Sequence, residues 1–355
     1  MLPIFKQYPL LKENLPYISL GTLPTRIIRL TKLEKEIGAK QLYLKQDGET
    51  GQIYGGNKIR KLEFLLGDAV KKQARAVLTF GYAGSNHALA TSIYSNKLGL
   101  ASISILLKQP NAQYVRNNLL MGYAQKADLC HYDNEPAAYL PVFIKMLRLR
   151  LSSGKFPYII PAGGSSPLGI IGYVNAAFEL KEQIEQGLMP EPDLIFVPLG
   201  TMGTAIGLVL GLKAANLKSR VLSVRVAAEK YGNQKKFVLL FYKTASLLSS
   251  KDPGFPDVEL EPGDVEILHD YFGEGYAIFT QKGMEAVKMA KNIEDVQLEG
   301  TYTGKTMAAF IDYVKGSGSH DSTILFWNTY NSRDFSKTIN SIDYHNLPKG
   351  FHQYF

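Results

Sequence analysis

The chain has 355 residues and a formal net charge of +8, with hydrophobic residues at 45% and charged residues at 20%, the balance of a globular protein with a buried core. Its 32 glycines and 17 prolines are too few for a fibrous or low-complexity chain, and its single cysteine, Cys130, excludes an intrachain disulfide. The length fits two domains or one large one.

In chain order, Met1–Leu20 holds no unbroken apolar stretch, because Lys6, Lys12 and Glu13 interrupt it. No secretory signal is predicted, and with one free cysteine a cytoplasmic location is expected. From about residue 40, short apolar runs alternate with longer amphipathic ones. Strands are predicted at Leu42–Leu44, Ala76–Phe80, Ser102–Leu107, Tyr158–Pro161, Leu194–Pro198, Val221–Val226 and Thr323–Trp327. Helices are predicted at Lys58–Lys71, Asn86–Leu98, Tyr114–Gln125, Ala137–Leu151, Leu168–Gln186, Thr204–Leu217, Gln234–Ser249, Gln281–Lys291 and Lys305–Lys315. This alternation signals an α/β fold with parallel sheet and crossover helices. The uncharged run Leu194–Leu212 approaches the length of a membrane span. Pro198 and Gly200, Gly203, Gly207 and Gly211 break it, so it reads as a buried strand, a glycine turn and a buried helix. Gly316-Ser317-Gly318-Ser319 reads as a polar loop. The basic residues are scattered and not interleaved with aromatics, so neither a nucleic acid nor a membrane is expected as partner.

Several common chemistries find no support. His87, His131, His269, His320, His345 and His352 form no i, i+4 pair and accompany no cysteine or carboxylate cluster, so no metal site is predicted. There is no G-x-S-x-G elbow and no G-x-G-x-x-G fingerprint. Gly300-Thr301-Tyr302-Thr303-Gly304-Lys305-Thr306 imitates a phosphate-binding loop with one residue too few between its glycines. It reads as a loop entering a helix, not an ATP site.

Three other turns carry more. Gly55-Gly56-Asn57-Lys58-Ile59-Arg60-Lys61 leads into a helix whose first turn holds Lys58 and Lys61. Cations there oppose the helix dipole, and such a broken rule points to function unless it is only a solvated start. Gly81–Ala88 joins a strand to a helix; Ser85 and Asn86 suit N-capping or a carboxylate site. Gly200-Thr201-Met202-Gly203-Thr204 follows an apolar strand and opens an apolar helix. Its backbone N–H groups and two hydroxyls can hold a phosphate, and an ordinary α/β turn is the equal alternative. A lysine, a phosphate cradle and a carboxylate nest on one chain point to pyridoxal 5'-phosphate (PLP) and an amino-acid substrate.

Gly55-Gly56-Asn57-Lys58-x-Arg60-Lys61-Leu62-Glu63, then Gly84-Ser85-Asn86-His87, Ile160–Gly169 and Tyr302-Thr303-Gly304-Lys305, in consistent order, resemble the D-cysteine desulfhydrase and 1-aminocyclopropane-1-carboxylate (ACC) deaminase family. That family belongs to the fold type II PLP enzymes, the tryptophan synthase β group. The resemblance implies two open, twisted, mainly parallel sheets with helices on both faces and the cofactor between the domains. Residues 1–61 and 172–355 are expected to form the large PLP-binding domain and residues 62–171 the small one. It implies that Lys58 forms the Schiff base, that Lys61 lies near the phosphate, and that Gly200, Thr201, Met202, Gly203 and Thr204 hold it. Asn86 is expected to bond the ring oxygen. Ser85, Asn86 and His87 are expected to receive the substrate carboxylate, with Tyr276 and Tyr302 flanking the substrate. A homodimer is expected, and a lyase or, in the deaminase branch, a hydrolase.

The residue after Tyr302 is expected to face the pyridine nitrogen, where ACC deaminases carry glutamate and desulfhydrases a hydroxyl. Here it is Thr303. A hydroxyl can only donate to an unprotonated nitrogen, a weaker electron sink that favours expelling thiolate over opening a cyclopropane. Thr329 agrees, since the late motif His-Leu-Gly-Gly of deaminases is His-Thr-Gly-Gly in desulfhydrases. The expected reaction is β-elimination of D-cysteine to pyruvate, hydrogen sulfide and ammonia, with ACC deamination as the alternative. Two departures stand out: Asn328-Thr329-Tyr330-Asn331 lacks the histidine and both glycines, and Arg26 replaces a common proline. The first supports a further alternative, a non-catalytic PLP-binding protein.

Overall fold

The computed structural model describes residues 1–316 and 321–355; Ser317–Ser319 of the predicted polar loop, and His320, lie outside the described residues. Its strands are β1 (Ile27–Arg29), β2 (Leu42–Gln46), β3 (Ala76–Tyr82), β4 (Ala101–Leu107), β5 (Asp128–Tyr132), β6 (Tyr158–Ile160), β7 (Leu194–Leu199), β8 (Arg220–Arg225), β9 (Glu266–Leu268) and β10 (Ile324–Asn328). The seven predicted strands are all present, and the predicted helices form to within a few residues at their ends. The strands that escaped prediction, β1, β5 and β9, are three of the four edge strands; the fourth, β6, was predicted. They are short, or mixed in polarity, because an edge strand need not be apolar on both faces.

The chain divides into two compact units, Met1–Leu15 with Gly21–Lys61 and Ser165–Ser332, and Pro16–Leu20 with Leu62–Gly164 and Arg333–Phe355. The first holds a six-stranded sheet in the order β1-β2-β10-β7-β8-β9, parallel except for β1. Strands β7 and β10 are buried at every residue, as central strands covered by helices on both faces must be. The second holds a parallel four-stranded sheet, β5-β4-β3-β6. The C-terminal segment was expected with the larger body but belongs to the second unit. Leu347, Phe351 and Tyr354 join the core of Leu106, Val115 and Leu119 there, and the Gln109 N–H donates to Tyr354 Oη at 3.1 Å.

A buried charge cluster fixes the start of the helix Lys58–Lys71. The Arg60 guanidinium reaches Asp47 at 3.0 and 2.8 Å and both Glu179 oxygens at 2.9 Å. Lys45 Nζ donates to Glu179 at 2.6 Å, and Tyr173 and Trp327 donate to Asp47 at 2.5 and 2.8 Å. Two cations balance two anions with their donors engaged, the condition for a tolerable buried ion network. Burial opposes ionisation of Glu179, but Arg60 and Lys45 outweigh it and hold the carboxyl at about 2. A pKa depressed on folding gives stability that is complete above about 4.5 and lost as pH falls toward 2. Glu179→Ala should cost about 3–5 kcal/mol by leaving both cations short of a partner. It should also remove part of this acid dependence, and denaturant melts at pH 7 and pH 3 measure both.

Candidate active site

Lys58 and Lys61 stand three residues apart on one helical face. The loop before them is held by long-range bonds: the Gly55 N–H donates to Asn331 Oδ1 at 2.6 Å, the Gly56 N–H to Asp47 O at 2.7 Å and the Asn57 N–H to Thr329 O at 3.2 Å. Gly56 has φ +88°, and a Cβ there would come within 2.7 Å of Thr329 O, so only glycine permits this approach. Lys58 is half-buried, and desolvation lowers its ammonium to about 8. Lys61 is buried and held well below its usual range, first by burial and then by the charge of Lys58.

Strand β7 ends in the turn Gly200–Met202, with Met202 left-handed at φ 65°, and the helix Gly203–Ala214 follows. Ser165 Oγ lies 2.8 Å from Thr201 Oγ1, accepts from the Gly203 N–H at 3.2 Å and faces Lys61 Nζ at 3.4 Å. Asn57 Nδ2 donates to Thr204 Oγ1 at 3.0 Å. A Cβ on Gly203 would come within 2.6 Å of Ser165 Oγ and 2.9 Å of Lys61 Nζ. One ammonium, three hydroxyls and a helix-start N–H therefore surround a space cleared by a missing side chain. That donor-rich cradle fits the phosphate of PLP. Ser165 belongs to the Ile160–Gly169 motif but has no role assigned from sequence; its neighbour Ser166 is the N-cap of the following helix, accepting from the Gly169 N–H at 3.3 Å.

The same unit brings the tyrosines to this turn. A Cβ on Gly200 would sit 3.6 Å from Tyr302 Cε1. Tyr302 and Tyr276 share a hydrogen bond between their hydroxyls, with rings edge to face at 6.0 Å. Glu299, unassigned from sequence, accepts from the N–H groups of Thr301 at 2.7, Tyr302 at 2.7 and Thr303 at 2.9 Å. It thereby caps the helix Thr303–Gly316; burial raises its pKa against the pull of those donors. Thr303 is fully buried. Its Oγ1 accepts from the Glu299 N–H at 2.9 Å, while the acceptors for its own proton stand at 3.4 Å.

The departure Asn328–Asn331 is an ordered part of this framework. Asn328 is buried, donates to Gln46 Oε1 at 2.9 Å and accepts from the Tyr330 N–H at 3.1 Å. Asn331 is the acceptor for Gly55 described above, and Thr329 is buried. Burial, followed by the nearby charge of Glu299, pushes the Tyr330 phenol up to about 12. Arg26 pairs with Glu49 at the surface.

Ser85, Asn86 and His87 lie in the second unit at the start of the helix Asn86–Lys97. Ser85 is its N-cap, accepting from the Ala88 N–H at 3.1 Å. Asn118 Nδ2 donates to Asn86 Oδ1 at 2.9 Å and to Gly84 O at 2.9 Å. With its oxygen so engaged, Asn86 presents its amide N–H groups; Asn118 carried no signal in the sequence. His87 is buried. Among the described residues there is no cluster of metal ligands, and no helix is long and apolar enough to cross a membrane.

The model of the family described as pyridoxal-phosphate dependent enzyme matches residues 18–329. D-cysteine desulfhydrase of Salmonella typhi is 34% identical over 325 residues, covering 88% of this chain and 93% of the relative. The Salmonella newport (strain SL254) protein of that name is 33% identical with the same coverage. The crystal structure of an ACC deaminase homologue matches with a TM-score of 0.79 and 32% identity over 96% of this chain and 99% of the other. Maize serine racemase, 18% identical with a TM-score of 0.56, shares the fold. These matches support a lyase and drop the hydrolase class that the deaminase branch admitted. With a cradle that fits its phosphate, PLP is the cofactor, and the chain belongs to the family of pyridoxal-phosphate dependent enzymes.

Proposed function

We propose that the enzyme eliminates hydrogen sulfide from D-cysteine and that water then hydrolyses the eliminated product to pyruvate and ammonia. The observation that carries this reading is Thr303, a buried neutral hydroxyl that accepts from the Glu299 N–H at 2.9 Å and whose own donor contacts, to Glu299 O and Oε1, are long at 3.4 Å. Bound PLP supplies an electron sink for the carbon that loses its proton. Lys58, lowered to about 8 by desolvation, gives up its own proton more readily than a solvated lysine and takes the α-proton. Lys61, Ser165, Thr201, Met202, Thr204 and the backbone from Gly200 to Gly203 hold the phosphate. Asn86 donates to the ring oxygen and Thr303 to the ring nitrogen. Ser85, Asn86 and His87 take the substrate carboxylate at a helix start, and Thr329 serves substrate binding. The Tyr276–Tyr302 pair passes a proton to the departing sulfur. The non-catalytic alternative rested on Asn328–Asn331, which is built into the framework that holds Gly55. A homodimer and a cytoplasmic location belong to the same proposal; light scattering tests the first and cell fractionation the second.

The wild type should release pyruvate from D-cysteine with a higher kcat/KM than it forms 2-oxobutyrate from ACC, since that ratio compares transition-state stabilisation. A preference for ACC would refute the argument from Thr303. The substitution Thr303→Glu is a poor probe, because it places a second carboxylate beside Glu299. Thr303→Val keeps the shape and removes the donor, and should lower kcat on D-cysteine by about 10-fold, the worth of about one hydrogen bond.

A further inference from the structure

The segment that imitates a phosphate loop ends in Lys305, a buried lysine with no part in the site proposed above. Its Nζ donates to Phe272 O at 2.6 Å and, at longer range, to Gly275 O at 3.4 Å. The ammonium also stands 5.4 Å from the centre of the Phe272 ring. Its stem passes the helix Gln281–Glu294 where a Cβ on Gly283 would lie 3.5 Å from Lys305 Cγ. The loop it reaches runs directly into Tyr276. The next residue, Ala277, is buried and left-handed at φ 61°, a conformation that a residue with a Cβ keeps only when its surroundings hold it. Tyr271 ties the same loop to the helix Thr303–Gly316, which carries Lys305, by donating to Asp312 at 3.2 Å. Burial lowers the Lys305 ammonium to about 8 against the pull of Glu299. The ammonium's value there lies in two N–H donors aimed at two carbonyls.

We propose that Lys305 is a positioning residue: by holding the Phe272 and Gly275 carbonyl oxygens, it sets where the Tyr276 hydroxyl meets Tyr302. Its effect on turnover rests on the reading above, in which that tyrosine pair serves the leaving sulfur. Removing the donors takes the lysine's bond from the Phe272 carbonyl, leaves the Gly275 carbonyl the Ile278 N–H at 3.4 Å, and frees the loop to move. The distance from Lys305 to the chemistry is then one loop, with Tyr276 at its end.

The test uses the PLP-loaded enzyme with 3-fluorotyrosine at position 276 or, as a control in the other unit, at position 158. Lys305→Met should bind PLP with unchanged stoichiometry and shift the fluorine resonance at 276 but not at 158. It should lower kcat by about 10-fold or more with little change in KM. In a Tyr276→Phe background it should cost less than about 2-fold further, because residues acting through one another are not additive. Lys305→Gln, which keeps a donor for Phe272, should recover part of the loss, and it carries the same measurements if the methionine variant fails to fold. An unmoved resonance at 276 in a folded, loaded variant overturns the proposal, as does full additivity with Tyr276→Phe. If Tyr276→Phe alone leaves kcat unchanged, the leaving-group reading fails, and the fluorine shift still decides whether Lys305 positions the loop.

Discussion

Lys58→Ala should lower kcat by about 10²- to 10⁴-fold, the span expected when a general base is removed, while PLP stays bound. The two outcomes separate because the contacts are separate. Lys61, Ser165, Thr201 and the Gly203 N–H surround the phosphate cradle without help from Lys58. In the wild type, borohydride reduction should fix the cofactor to Lys58, as peptide mapping would show. A label on Lys61 would reverse the assignment, and a loss of PLP in Lys58→Ala would show that the cradle alone is too weak. The cofactor-free protein offers an independent check. Desolvation lowers Lys58 to about 8, so its amine is protonated below that pH and nucleophilic above it. Its modification by an amine reagent should rise through about pH 8, well below the range of a solvated lysine.

Gly203→Asp should weaken PLP binding by about 2–4 kcal/mol, roughly 30- to 1000-fold, for two carboxylate-sized reasons. A Cβ at this position already comes within 2.6 Å of Ser165 Oγ and 2.9 Å of Lys61 Nζ, so the side chain displaces one donor. Its charge then pairs with Lys61 and repels the phosphate that Lys61 would otherwise neutralise. Gly203→Ala isolates the steric part and should lose less. Equilibrium dialysis of PLP with melting of the cofactor-free protein distinguishes lost affinity from lost folding. Unchanged affinity in a folded Asp variant would reduce the loop to a structural turn.

By itself, the amino-acid sequence determined the α/β alternation, because buried parallel strands such as Leu194–Leu199 carry continuous apolar runs that glycine turns punctuate. It also singled out Lys58 and the Gly200–Thr204 turn, since a cation at a helix start and glycines after a strand are local signals. Tertiary structure alone decided the partners. Ser165 joins Gly203, Asn331 holds Gly55, Lys305 reaches Phe272 and Asn118 turns the Asn86 amide. None of these pairs has a sequence period or spacing, because each is made by elements that meet only after the sheets form. Glu299 shows the same division: a lone glutamate before a helix is unremarkable in sequence, and becomes the cap for three N–H groups once Thr301–Thr303 turn back on it. The edge strands β1, β5 and β9 were illegible for a related reason, since their place is set by the neighbour they pair with and not by their own apolar content.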